Sequence, residues 1–176
     1  MTLQEEAAQL LAEHYASAPS GEVRYITLEL RHPAFLMEGL PSGVIHIVHA
    51  PEPLTVTLEN NDVVTCLAGA FTVQWPEKNT KGRRDMQLVM DAISTDVIEQ
   101  LERVADYSPR TKISATVREY LSTMLTHPGR IEAGLTMLKP SVRGGRATST
   151  LVFSDSINKS VPSIPYTLKT HPALAS

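Results

Sequence analysis

Among 176 residues there is one cysteine, Cys66. A lone thiol excludes an internal disulfide framework and any centre built from several thiolates, and it fits a reducing compartment. Aromatic side chains are scarce, at 5% of the chain. Charge of one sign is lacking too: the formal net charge is -3 and the pI about 6.1. No global field draws the chain to nucleic acid or to an anionic membrane. No apolar run approaches the roughly 20 residues that span a bilayer, and "MTLQEEAAQLLAEHYAS" is acidic with no basic leader region, so neither membrane insertion nor export is expected. Also missing are a G-x-S-x-G elbow, a phosphate-binding Walker loop and an H-E-x-x-H helix, which weakens any enzymatic reading.

What is present has the composition of a globular domain, with 42% hydrophobic and 20% charged residues. Its length suits a single core. Thr2 and Glu5 form a capping-box pair ahead of a short helix whose face carries Leu3, Ala7, Leu10, Leu11 and His14. "EVRYITLEL" alternates, with Tyr25, Thr27 and Glu29 on one side and Ile26, Leu28 and Leu30 on the other. "VIHIVHA", "LTVTLEN", "VVTCLAG" and "FTVQWPE" read as four short strands, with "NNDV" as a hairpin turn because Asn and Asp tolerate left-handed backbone. A further strand, "MQLVMDAI", precedes the clearest helix, residues 94–106, on which Val97, Ile98, Leu101 and Val104 recur at helical spacing. "KISATVREYL" alternates again, and two strands close around "RGGR". The order of elements predicts a mainly β domain with a flanking α-helix, as a sandwich or barrel. The expected divisions are an N-terminal helical arm at 1–19, a β-rich core at 22–156 and an extended, proline-rich C-terminal arm at 157–176.

The stretch "HIVHAPEPL" places His46 and His49 three residues apart. On a helix that spacing would let both meet one ion. Val44, Ile45, Ile47 and Val48 favour a strand, however, and Pro51 and Pro53 forbid helix beyond it. In a strand, side chains three apart point to opposite faces. A zinc site also needs at least three protein ligands, with only His32 nearby to add one. A small metal-dependent hydrolase on His32, His46 and His49 is therefore the lesser reading, and no metal or cofactor is expected. Cys66 lies mid-strand with nothing basic beside it, the setting of a buried, inert thiol. Glu99, Glu102 and Arg103 make a solvated helix face.

Two basic clusters sit in glycine-containing loops: "KNTKGRR", with Lys78, Lys81, Arg83 and Arg84, and "VRGGR", with Arg143 and Arg146. No aromatic residues interleave with them, so a nucleic-acid-binding module built on these loops is a second lesser reading. Projecting charges of this kind can instead fix the choice of a neighbouring subunit.

The run "FTVQWPEKNTKGRRDMQLVMDAISTDVIEQLERV", then "TKISATVREYLS" and "TLVFSDSINKSVPSIPYTL", resembles an uncharacterised bacteriophage and prophage family catalogued as a domain of unknown function. Its pattern is carried by Arg118, Tyr120 and Leu121 in the strand, and by Asp155, Asn158, Pro162 and Tyr166 in the C-terminal arm. The resemblance runs from about Val23 to Leu174. Where an aromatic and arginines are expected around the C-terminal proline, this chain has Val161, Ser163 and Ile164. The family is similar to minor tail proteins of long-tailed phages, of the lambda L type.

That resemblance implies a tail-tube- or hub-like β-sandwich or barrel, acting as a non-enzymatic structural component of the phage tail tip. It implies a ring, trimeric or hexameric, between tail tube and hub or baseplate proteins, located at the distal end of the virion tail and in the host cytoplasm during assembly. Nucleic acid would matter only as what passes through a tail lumen. The expected assembly contacts are Arg83, Arg84, Arg143, Arg146, Asn158, Pro162 and Tyr166. The iron-sulfur centre of lambda-type L proteins does not carry over to a chain with one cysteine.

Overall fold

The computed structural model describes residues 2–17, 21–39, 41–75, 86–91, 95–105, 107, 111–144 and 146–153. Helix α1 (Leu3–Ser17) comes first, then β1 (Arg24–Arg31), β2 (Val44–His49), β3 (Leu54–Thr57), β4 (Val63–Gln74) and β5 (Met86–Asp91). Helix α2 (Thr95–Ala105) precedes β6 (Ser114–Leu121), β7 (Arg130–Arg143) and β8 (Arg146–Phe153). Among the described residues no helix is long and apolar enough to cross a membrane.

Seven of these strands form a closed barrel in the order β1-β2-β4-β5-β8-β7-β6, with β6 returning to β1. Every pairing is antiparallel except the seam between β2 and β4, where Ile47, Val48 and His49 lie parallel to Leu67, Ala68 and Gly69. Of the two expected architectures, the chain adopts the barrel. Alternation explains the filling: Leu28, Leu30, Ile45, Ile47, Phe71, Leu88, Met90, Val117, Leu135 and Leu151 point inward and pack as one apolar core. Val97 and Leu101 of α2 join that core together with Phe35 from the loop after β1. Gln100 Oε1 accepts from Leu36 N at 2.8 Å, pinning helix to loop.

Parallel neighbours cannot be joined by a tight turn, so the chain between β2 and β4 must travel back along the barrel. It does so outside the wall, and β3 is the strand it makes on the way, pairing with β4 alone from Leu54–Cys66 to Thr57–Val63. The turn between them is the expected "NNDV": Asn61 takes a left-handed φ of 66°, and Leu58 N donates to Asp62 O at 2.8 Å. The "RGGR" hairpin also forms, with Arg143 paired to Arg146 and Gly144 at φ 56°.

One expectation is corrected. "VVTCLAG" and "FTVQWPE" are not separate strands but one, β4, because Gly69 lies inside the seam instead of ending a strand. A Cβ there would come within 2.9 Å of Ile47 Cγ2, so the glycine permits close approach and does not mark a turn. Residues 2–17 carry the expected helix, docked on the barrel. The capping box forms, with Thr2 N donating to Glu5 Oε2 at 2.7 Å, and Ala7 and Leu11 are buried while Leu3 is exposed. Tyr15 Oη donates to Glu119 Oε2 at 2.9 Å, and Arg24 stacks on the Tyr15 ring.

Gly129 sets how closely α1 approaches, since a Cβ there would lie 2.7 Å from the Ala7 carbonyl oxygen and 2.9 Å from Leu11 Cβ. Gly129→Ala is expected to destabilise the fold by about 1–3 kcal/mol through overpacking. Urea unfolding measures the loss, and hydrogen exchange should show α1 amides freed first. Wild-type protection along α1 in the variant would contradict this packing.

Candidate functional site

On the outer face of the barrel, under the crossover, β1 and β6 place two charges on a diagonal across the ladder. Thr27 is paired with Arg118, and Glu29 with Thr116 on one side and His46 on the other. Both Glu29 and Arg118 are buried, at 3% and 4% exposure, because the crossover lies over a face that in an open sheet would meet solvent. A buried charge is tolerated only with partners. Arg118 has two: its Nε and Nη2 grip Glu59 of the crossover as a fork at 2.7 Å each, and Nη1 donates to Glu29 Oε2 at 2.8 Å. Arg31 Nε donates to the other oxygen of Glu29.

These pairings set the protonation states. Burial works to raise the Glu29 carboxyl, but the Arg31 hydrogen bond and the Arg118 charge outweigh it and hold it below the usual carboxylate range. Glu59 is held low chiefly by its hydrogen bonds to Arg118, against burial. For Arg118 itself, desolvation is overcome by the Glu59 hydrogen bonds and the Glu29 charge, and the guanidinium stays charged. His46 Nδ1 lies 3.9 Å from Glu29 Oε2, yet burial lowers the imidazole below its ordinary value despite that carboxylate. The cluster is thus two carboxylates locked onto arginines beside a neutral histidine. Near neutral pH it offers no poised proton donor. It acts as an anchor.

Beside it, Val48, Val56, Cys66 and Tyr120 form a second apolar cluster, separate from the barrel core. Tyr120 Oη donates to Thr57 O at 3.0 Å, and burial raises its phenol. Burial pushes the Cys66 thiol up to about 12, so the inert thiol read from the sequence is what the fold contains.

The sequence-derived candidates do not converge. β2 is a strand, and it sends His46 to Glu29 while His49 Nδ1 accepts from Phe71 N at 3.3 Å and its ring meets Phe71 edge-on. His32 lies apart beyond β1, buried, its Nδ1 accepting from Ala34 N at 3.1 Å and its ring against Tyr107. Arg143 and Arg146 flank the β7–β8 turn, and Arg146 Nε sits 2.8 Å from Asp91 Oδ1 in an exposed pair worth little in energy. Arg83, Arg84, Asn158, Pro162 and Tyr166 lie outside the described residues. What reading the sequence missed is Glu29 with Glu59. The available signal was a glutamate in the apolar stretch "ITLEL" and an arginine in "TVREYL", charges that an ordinary half-buried strand would have placed in water.

Residues 10–166 match the family model described as a domain of unknown function (DUF1833). The chain belongs to that family. The match begins inside α1, so the DUF1833 region takes in Leu11 and Tyr15 as well as the whole barrel, earlier than the start at Val23 expected from the sequence. It also includes Arg118, Tyr120 and Leu121, which are all buried in this DUF1833 barrel. No curated protein matches the chain.

Arg118→Ala would leave Glu29 buried beside Arg31 alone and Glu59 without its fork. The expected cost is about 3–5 kcal/mol in urea unfolding, as for removal of one partner from a buried pair. A loss below 1 kcal/mol would show that the charges are not desolvated. The pH dependence follows from signs. All three shifted groups, His46, Glu29 and Glu59, have folded values below their ordinary 6.5 and 4.5, so each contributes stability above the ordinary value that is lost as pH falls through the folded one. Unfolding free energy should begin to fall below about pH 6.5 and steepen below about 4.5. His46→Gln should remove the first part of that decline, which a series of denaturation curves across pH will show.

Proposed function

We propose that the chain is a structural, non-enzymatic component of the tail tip of a long-tailed phage, forming a ring between tail tube and hub or baseplate proteins. The family resemblance in the sequence suggests the setting. The observation that carries a scaffold reading is the Arg118 cluster: buried Glu29 and Arg118 are bound to each other and to Arg31 and Glu59, and the barrel core is packed with apolar side chains. Groups so arranged stabilise a wall. The surface left for function is external, where heterologous contacts between copies close a ring. Leu36, Val63 and Tyr107 are large apolar residues exposed there, and Arg143 with Arg146 supplies charge at a strand tip. With residues 2–17 packed on their own barrel, contact between copies falls to these surfaces.

Purified phage particles are expected to contain the chain at the distal end of the tail in a fixed copy number of three or six, by quantitative mass spectrometry and antibody labelling. Intact infectious particles without the polypeptide would end the proposal. The double variant Arg143→Ala, Arg146→Ala should fold as wild type by circular dichroism, since the Arg146–Asp91 pair it removes is exposed, while its incorporation into tails drops severalfold.

A further inference from the structure

Residues 51–66, the crossover carrying β3, contribute nothing to the closure of the barrel. β2 and β4 are already joined from Ile47 to His49, and Ala50 bridges to Gly69 where the crossover departs. The burial of β4 changes phase at this root: Cys66 is buried, Leu67 and Ala68 are half-buried, and Gly69 is buried again. That break marks the point where the strand leaves the barrel surface. β3 pairs only with β4. The apolar contacts of the segment, through Leu54, Val56, Val64 and Cys66, are to the small cluster with Tyr25, Val48, Tyr120 and Leu125, not to the barrel core.

We infer that residues 51–66 are a strap that opens as a unit while the barrel stays folded, and that the Arg118–Glu59 fork is its catch. The remaining ties are few. Tyr120 Oη donates to Thr57 O at 3.0 Å, and Thr57 N donates to Leu125 O at 2.9 Å. A region held by few apolar contacts and a handful of named hydrogen bonds opens at lower cost than the whole fold. The groups facing the catch are Arg118 with Glu29, Arg31 and His46 behind it, and His127 from the loop after β6, whose charge acts on Glu59. Opening leaves Arg118 paired to Glu29, so no charge is stranded on the wall. It bares Val48, Tyr120 and Cys66.

Cys66, the chain's one cysteine, is the last residue of the strap, sealed against Val48 and Tyr120 of the wall at 1% exposure, and reports its opening. Glu59→Gln keeps the shape of the side chain and removes its charge. At neutral pH it should raise the rate of maleimide labelling of Cys66 about tenfold, the size expected for weakening charge-assisted hydrogen bonds, while β6 and β7 amides exchange at wild-type rates. Unchanged labelling would remove the fork as the catch. Labelling that rises together with β6 and β7 exchange would remove the independent strap. Should the variant not fold, the wild type decides: its labelling in low urea should climb with a slope well below that of global unfolding. Equal slopes would overturn the inference.

Discussion

A seam of three residue pairs organises this molecule. Ile47, Val48 and His49 meet Leu67, Ala68 and Gly69 side by side in the same direction, and without that contact the seven strands would be an open sheet with two edges. The approach is close enough that Ile47 occupies the space a side chain at position 69 would need. Being parallel, the seam dictates a long return path for the chain between its two strands. The path runs over the outer wall of β1, β2 and β6, so a surface that would have been wet is dry. Burial of Glu29 and Arg118 follows from that covering and not from any property of their own strands.

Once dry, the wall needs its charges matched. Replacing such a cluster by well-packed apolar residues would often be neutral or stabilising, so net stability alone does not account for it. What the pairing adds is register. Glu59 can satisfy Arg118 only when β3 and its turn lie at one height on the barrel, with Thr57 in reach of both Tyr120 and Leu125. An apolar crossover could slide; a forked arginine fixes it. The same logic holds under α1, where Glu119, fully buried, meets Tyr15 and Arg24 and so sets where the helix ends on the wall.

Local physics made much of this legible. All eight strands fall in segments read as strands, β1 and β6 by period-two alternation, Asn61 and Gly144 sat where turns need left-handed backbone, and the spacing of Val97 and Leu101 gave both the helix and its buried face. The division at Gly69 failed because glycine serves two purposes, turning a chain and letting chains approach, and only the second applied. The seam joins segments about 20 residues apart in a direction that nothing in either segment encodes. For that reason the covered wall, and with it the Glu29–Arg118–Glu59 cluster, was invisible, although "Arg-x-Tyr-Leu" drew notice as a pattern. Its arginine is the centre of the fork, and its tyrosine bonds the crossover one turn of the ladder away.

Strand geometry also decides how the chain can meet partners. Spacing of three along β2 divides His46 and His49 between the two sides of the wall, so neither adds to a common site, and His32 is enclosed by Phe35 and Tyr107. The interior is apolar, one mouth is stopped by α2, and part of the exterior lies under the crossover. Contact with other molecules is thereby directed to strand tips, helix backs and loops. Exposed charges on those surfaces include Glu5, Glu6 and Glu13 on α1, Asp96, Glu99, Glu102 and Arg103 on α2, and Arg143 with Arg146 at one hairpin, where Arg146 pairs with Asp91. Exposed charges of this kind affect the rate and choice of encounter more than affinity. Among the described residues the large apolar side chains left uncovered include Leu3, Val23, Leu36, Val63 and Tyr107, all outside both hydrophobic clusters, so the fold's own packing does not use them.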